Sequence, residues 1–409
     1  MISHKRLRQI RLARGLTQDE LVAAMGGMVT KSALSLYEKG TSQPRPGVLL
    51  QMARALGVDS RALAAPSDLA VEFVAFRRKS GMSAGVEATI TSRISFDLEK
   101  RVLLEQMLRP GGHADFPLQT FPVNRLEDAE EAAINVRDWM GLGRDAIGNV
   151  TETLEAHGMH VFEVETSEKF DGISAVVKNG DGRILGTGIA VRAGMCGERQ
   201  RLTKAHEAGH LFVNLGQELR DPKVSEAVAF RFGGAFLIPA ETLRAEVGRR
   251  RSALNLAELL SIKKRYGMSI AALLMRMKDL EILSAATVAE CFIAISRNGW
   301  RTSEPEPCEP ETSQWLRQNA LRAHAEGLLT TREAEEMVGE KIGNEFPALT
   351  RLKALRAMPV AERNKILQGE TDMIADRFND DLAKPPKDRT LTAFTALDGV
   401  DPLYLGELE

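Results

Sequence analysis

The amino-acid sequence predicts a mainly α-helical chain with a small β-sheet in its middle domain. The order is a five-helix N-terminal domain, an α+β domain and a helical C-terminal region. Three observations predict this. Residues 3–64 alternate short apolar runs with capping residues and glycine turns, the punctuation of helices. Met159–Val164, Ile173–Val177 and Ile184–Val191 are short runs of β-forming residues separated by Asp-Gly and Gly turns. Most remaining apolar runs repeat at three and four residues, the period of a helix buried on one side. A chain of 409 residues has room for two to four such domains.

The first helix runs through His4–Ala13 and ends near Gly15. Thr17 caps a helix over Gln18–Met25, with Glu20 three positions on completing a capping box. Gly26-Gly27 turns the chain, and Thr30 caps a helix through Tyr37 that stops at Gly40. Pro44 and Pro46 precede Val48–Leu56, and Asp59 or Ser60 begins a last turn. Helix, glycine-bearing turn, helix is the spacing of a helix-turn-helix. Residues 1–65 carry ten Lys/Arg against four Asp/Glu in a chain of net charge −2, which points to a polyanionic partner for this end.

GLTQDELVAAMG followed by TKSALSLYEKGTSQPRPGVLLQMARALGV resembles the DNA-binding domain of the lambda-repressor/XRE class. The resemblance implies double-stranded operator DNA as partner, with the second motif helix, here Thr30–Glu38, in the major groove. Thr30, Lys31, Ser32 and Ser35 would then face bases or phosphates, and Gln18 would touch the DNA backbone. Five-helix domains of this kind also serve as dimerisation or peptide-docking modules.

Residues 66–125 are expected to be linker and helix. FVAFRR at Phe73–Arg78 and a Ser/Gly-rich stretch at Ser80–Gly85 lead into a helix over Glu87–Leu108, with apolar residues at Ile90, Ile94, Leu98, Val102 and Leu103. That helix is either a spacer or the seam of a homodimer, since period alone does not separate these. Residues 126–300 form the next unit, beginning with helices over Glu127–Met140 and Ile147–His157. His157 and His160 read as surface or edge residues, and Gly186-Thr187-Gly188 lacks the spacing of a phosphate loop.

TKAHEAGHLFV, Thr203–Val213, is the chemically loaded stretch. His206 and His210 stand one helical turn apart and can hold one metal ion, while Glu207 can reach a water on it. By this chain's composition H-E-x-x-H arises by chance about 0.01 times. Leu202, Ala205, Gly209 and Val213 form an apolar stripe, so a half-buried helix with Glu207 and His210 turned toward its polar side is expected. Downstream, Asp221-Pro222 reads as an N-cap with proline at the first helical position. Glu226 stands alone among Val224, Ala227, Val228, Phe230, Phe232, Phe236 and Leu237. A buried carboxylate needs a cation. As third ligand, Glu226 makes an open His₂Glu set; Asp221 is the competing ligand, and a salt bridge to Arg231 the competing explanation.

GERQRLTKAHEAGH and SEAVAFRFGGAFLIP resemble the ImmA/IrrE family of zinc metallopeptidases, with Leu202, Gly233 and Phe236-Leu237 as departures that touch no ligand. The resemblance covers roughly 126–300 and implies a zincin-like domain with Zn²⁺ on His206, His210 and Glu226. Glu207 would be the general base, and the substrate a protein such as a helix-turn-helix repressor. The rival reading is a non-enzymatic XRE-type transcription factor or antitoxin with a structural or sensing metal. An intact Glu207 weighs against it, because a structural site has no use for that carboxylate.

Cys196, Cys291 and Cys308 are odd in number and far apart in sequence, so no disulfide framework or cysteine zinc site is implied and a reduced, cytoplasmic setting fits. Cys196 is either an inhibitory ligand or an ordinary thiol, and Tyr266 is a candidate oxyanion partner. No signal peptide or membrane span is visible. NGWRTSEPEPCEPE reads as an acidic, proline-rich linker opening region 301–409. Helices over Ser313–Glu326, Thr331–Val338 and Leu349–Met358 follow, then an amphipathic stretch at Pro359–Phe378 and a flexible tail.

Overall fold

In the computed structural model the helices of the first domain begin where capping residues stand. They are α1 (His4–Ala13), α2 (Gln18–Ala24), α3 (Lys31–Glu38), α4 (Pro46–Leu56) and α5 (Ser60–Ala64). The structure describes residues 3–64, 69–78, 82–109, 116, 118–166, 170–342, 355–356 and 358–384. The Thr17–Glu20 capping box forms, Thr30 caps α3, and Pro46 opens α4. Leu7, Ile10, Leu21, Leu34, Met52 and Leu56 close the core between these helices. Arg11 grips Glu38 with two nitrogens, at 2.5 and 2.9 Å, tying α1 to the end of α3.

The segment expected as linker and spacer is built into the next domain. Strand β1 (Ala70–Arg78) pairs antiparallel with β4 (Phe170–Lys178), and β4 pairs antiparallel with β5 (Ile184–Arg192). β5 runs parallel to β3 (Met159–Val164), so the sheet order is β1-β4-β5-β3 and β1 is an edge. Helix α6 (Ala84–Leu108) lays Ile90, Ile94, Leu98 and Val102 over one face of this sheet, against Phe162, Phe170, Ile173 and Val177. Glycines in β5 allow that approach. A Cβ on Gly186 would meet Val102 at 2.9 Å, and one on Gly188 would meet Leu98 at 2.7 Å. The Gly-Thr-Gly run is thus a seat for α6. The outer side of α6 receives α1: Gln9 donates to Glu99 at 2.8 Å, Arg6 pairs with Glu99, and the guanidiniums of Arg6 and Arg14 lie 5.2 and 6.0 Å from the Phe96 ring centre.

The opposite face of the sheet carries the larger core. It is shared by α7 (Asp128–Trp139), α8 (Val150–Ala156), α9 (Gly197–Phe212) and α10 (Pro222–Leu237), with α12 (Leu256–Tyr266), α13 (Ile270–Asp279) and α14 (Ala285–Arg297) behind. Short strands β2 (Phe121–Val123) and β6 (Val213–Leu215) pair in parallel just past α9, and α11 (Ala240–Val247) follows α10.

The proline-rich stretch is a strap rather than a loose linker. Glu304 caps α13 by accepting from Ile270 N at 2.8 Å and Ala271 N at 3.3 Å. Glu311 accepts from Val150 N and Thr151 N, both at 2.9 Å, and pairs with Arg201. Its carboxylates find buried cations and orphan helix amides, so the acidic composition is used inward. Helices α15 (Trp315–Ala325) and α16 (Thr331–Val338) then pack together, α16 with its own capping box at Thr330 and Glu333. Arg61 reaches Glu333 at 3.2 Å, and Lys100 donates to Met337 O at 2.8 Å. His160, expected as a surface or edge residue, lies on the edge strand β3 but is buried, with Nε2 3.2 Å from Glu105 and the ring edge-on to Trp315. Burial pushes its imidazole pKa down despite Glu105.

Residues 1–340 form one unit, and α17 (Val360–Leu382) belongs to a second. Of the expected helix at Leu349–Met358, residues 355 and 356 are helical and most of the rest lies outside the described residues, as does the whole tail from 385. No helix among the described residues is long and apolar enough to cross a membrane.

Candidate metal centre and DNA-reading helix

Helix α9 is the middle of the larger core. It starts at Cys196 as N-cap and ends where Val213 turns extended and enters β6. Contrary to the half-buried expectation, it is buried on nearly every side; His206 and Glu207 are both 0 % exposed. The reason is a third neighbour: besides β4, β5 and α10, the strap closes over its first turns through Glu198, Gln200, Arg201 and Lys204.

Helix α10 crosses α9 at glycines. A Cβ on Gly209 would meet the Phe232 ring at 2.9 Å, and one on Gly233 would meet His206 N at 3.1 Å. Asp221 accepts from Lys223 N and Val224 N at 3.0 and 3.4 Å, fixing the start of α10 one turn ahead of Glu226. Asp221 is not among the side chains whose ligand atoms converge. Arg231 turns instead to Glu130 at 3.0 Å, so it is not the counter-ion of Glu226.

The result is a convergence. His206 Nε2 and His210 Nε2 are 3.1 Å apart; Glu226 places one carboxylate oxygen 3.4 Å from the former and the other 3.3 Å from the latter. Among the described residues this is the group of three His, Cys, Asp or Glu side chains whose ligand atoms all lie within 4.8 Å of one another. Donor atoms sharing a tetrahedral Zn²⁺ stand about 3.3 Å apart, so the triangle has the size of one ion's coordination sphere. The donor chemistry, two imidazoles and one carboxylate, also suits zinc and leaves a position open. Burial alone would raise the Glu226 carboxyl, but the hydrogen bonds and charge of both imidazoles bring it far below the usual carboxylate range. The Glu226 side chain is 32 % exposed, so the triangle opens to solvent on that side.

Glu207 lies against β4, where the absence of a side chain makes room for it. A Cβ on Gly172 would meet Glu207 Oε1 at 2.9 Å and Thr203 Cγ2 at 2.8 Å. Phe230 packs on His206 with ring centres 4.3 Å apart. Neither residue was singled out by sequence for this role; Gly172 stands just before the Ile173–Val177 run, and the structure extends that strand back to Phe170. A cleft of about 200 Å³ beside His210 is walled by Asn214, Arg220, Ser225 and Val228, and on its sheet side by Val74 of β1, at the bulge between Phe73 and Ala75. A larger cavity of about 850 Å³ between α1, α6 and α16 includes none of the metal-site residues.

Two sequence candidates lie elsewhere. Cys196 stands ten residues before His206 on the same helix, about 15 Å along its axis, and is outside the donor triangle. Tyr266 is buried and donates its hydroxyl to Glu246 at 3.0 Å.

In the first domain, Lys31 and Ser32 are exposed on the first turn of α3, Ser35 is half-buried one turn on, and Thr30 spends its hydroxyl on Ala33 N. Lys31 Nζ meets Asp19 at 2.6 Å in an open surface pair. Gln18 donates to Glu38 at 2.8 Å, joining the Arg11–Glu38 clamp between α1, α2 and α3. The structure thus brings Thr30, Lys31 and Ser32 to one helix end and holds Gln18 by its amide.

Residues 7–63 match the family model described as helix-turn-helix. Residues 154–278 match a peptidase family model described as IrrE N-terminal-like domain, a span that contains α9, α10 and the whole triangle. No match was found among curated proteins or solved structures.

Proposed function

We propose that this chain, a fusion of an XRE-type helix-turn-helix domain and an ImmA/IrrE-like peptidase domain, is a DNA-binding transcriptional regulator with a zinc-dependent endopeptidase activity. The observation that carries it is the meeting of His206, His210 and Glu226 next to a buried Glu207. His206, His210 and Glu226 would hold the ion. When bound, zinc supplies Lewis acidity that polarises a scissile carbonyl and acidifies a water. Glu207 takes the proton of the attacking water at its carboxylate and passes it to the leaving amine. Gly172 keeps that carboxylate packed against β4, and Phe230 fixes the plane of His206. The edge position of β1 and Val74 in the cleft wall suit an extended peptide as substrate. The substrate class is a helix-turn-helix repressor or partner protein, met in the cytoplasm. The first domain binds an operator through Lys31, Ser32 and Ser35, with Thr30 ordering the turn and a homodimer matching the operator's symmetry.

Glu207→Gln keeps shape and removes basicity, so it separates a peptidase from a metal-stabilised regulator. Co-encoded helix-turn-helix proteins incubated with wild type should be cut, with chelator abolishing the cut and Glu207→Gln lowering its rate by about 10² to 10⁴. No chelator-sensitive cleavage by wild type, with reporter expression unchanged in the variant, would reject the enzyme in favour of the non-catalytic regulator.

A further inference from the structure

Cys196 and Cys308 are separated by more than a quarter of the chain, yet the fold seats one beside the other. Gly197, the residue after Cys196, donates its backbone N–H to Cys308 O at 3.2 Å. Cys308 N in turn donates to Glu198 at 3.0 Å. The approach is close enough that a Cβ on Gly197 would meet Cys308 O and Glu309 O at 2.5 Å. Standard bond lengths on either side of the Gly197–Cys308 hydrogen bond hold the two Cα atoms about 5–7 Å apart. A disulfide asks for about 4.4–6.8 Å. Cys196 is exposed at the N-cap of α9, whereas Cys308 is half-buried on the strap against the first turn.

We propose that Cys196 and Cys308 form an oxidisable pair, a modification site that closes into a disulfide under peroxide. Cys196, open to solvent, attacks the peroxide: a sulfur–oxygen bond forms, the O–O bond breaks and hydroxide leaves. The Cys308 sulfur then displaces the second oxygen as water, so two thiols are oxidised and one peroxide is reduced to two waters. Burial and the neighbouring Glu198 keep Cys308 in its thiol form before that second step. The product fastens the strap to the helix that carries His206 and His210, closing a loop of more than a hundred residues. Such a cross-link raises stability chiefly by restricting the unfolded chain.

The test treats reduced full-length protein with hydrogen peroxide, alkylates the remaining thiols and maps unreduced peptides by mass spectrometry. The expected product is a Cys196–Cys308 peptide pair two hydrogens lighter than the separate thiols, from monomeric protein, reversed by dithiothreitol. The pair should persist in Cys291→Ser and vanish in Cys196→Ser, an exposed position that leaves the packing intact. Oxidised wild type should melt several degrees above reduced wild type, and Cys196→Ser should show no such rise. Cys196 over-oxidised to sulfinic acid with no linked peptide, linkage through Cys291, or linkage only between chains would overturn the proposal.

Discussion

Replacing Glu311 with alanine asks whether the strap is a structural part of the domain or a connector that happens to lie on it. The carboxylate is 8 % exposed and meets five groups: Val150 N and Thr151 N at 2.9 Å, Thr151 Oγ1 at 3.0 Å, Lys204 Nζ at 3.6 Å, and Arg201. Alanine leaves Arg201 with carbonyl acceptors at Gly148, Ile147 and Tyr266 but without a buried counter-charge. Stranding one partner of a buried pair costs about 3–5 kcal/mol. Losing an acceptor at the first turn of α8 adds about 1 kcal/mol. At about 1.4 °C per kcal/mol for a unit of about 340 residues, the melting temperature should fall by about 6–8 °C. Glu309→Ala, two residues away and exposed, should move it by no more than about 2 °C. Burial alone would raise the Glu311 carboxyl, but Arg201, the two amides and Lys204 hold it below its ordinary value. A carboxyl depressed in the folded state stabilises above its unfolded value of 4.5 and loses that contribution as pH falls through the folded one. The wild-type and Glu311→Ala curves should therefore draw together as pH falls below 4.5. Calorimetry in which Glu311→Ala melts within 2 °C of Glu309→Ala at neutral pH would refute the reasoning.

Three further outcomes are expected. Glu226→Ala should reduce zinc content to a small fraction of wild type while Glu207→Gln keeps about one ion per chain, because two ligands bind far more weakly than three; metal analysis of purified variants decides, and full occupancy in Glu226→Ala would remove it from the ligand set. Gly172→Ala should cost about 1–3 kcal/mol from overpacking against Glu207 and Thr203, and should slow cleavage with zinc retained; an unchanged rate would show that the seat of Glu207 tolerates a methyl. Lys31→Ala in the full chain should reduce the salt dependence of operator binding by about one counterion and weaken discrimination against random DNA; an unaltered slope would place Lys31 away from phosphate.

Legibility in the sequence followed the range of the interaction. Caps act over three residues, so the boundaries of α1 and α16 and the capping box at Thr17 could be read directly. The two histidines and their glutamate share one helix, and the lone acid in an apolar helix announced Glu226; these are patterns within single elements. What decides burial of α9 comes from over a hundred residues away, in a strap whose Glu and Pro content reads as solvent-loving when its cationic partners are not in view. Gly172 and Gly233 are legible as glycines, but the side chain or helix that needs their bareness is not.

Helix α6 shows why period alone left its role open. Its stripe of Ile90, Ile94, Leu98 and Val102 is what any helix with one buried face presents, and here the face lies on the sheet. The second contact runs through Phe96 and Glu99, on the other side of the helix, where a ring and a charge would pass for ordinary surface residues. Glu99 is nonetheless buried, because Arg6 and Gln9 of α1 cover it. A homodimer seam would bury the apolar stripe against its own copy, but that stripe is already covered by β-sheet within the chain. Any dimer that reads a symmetric operator must therefore use another surface than the core-facing side of α6.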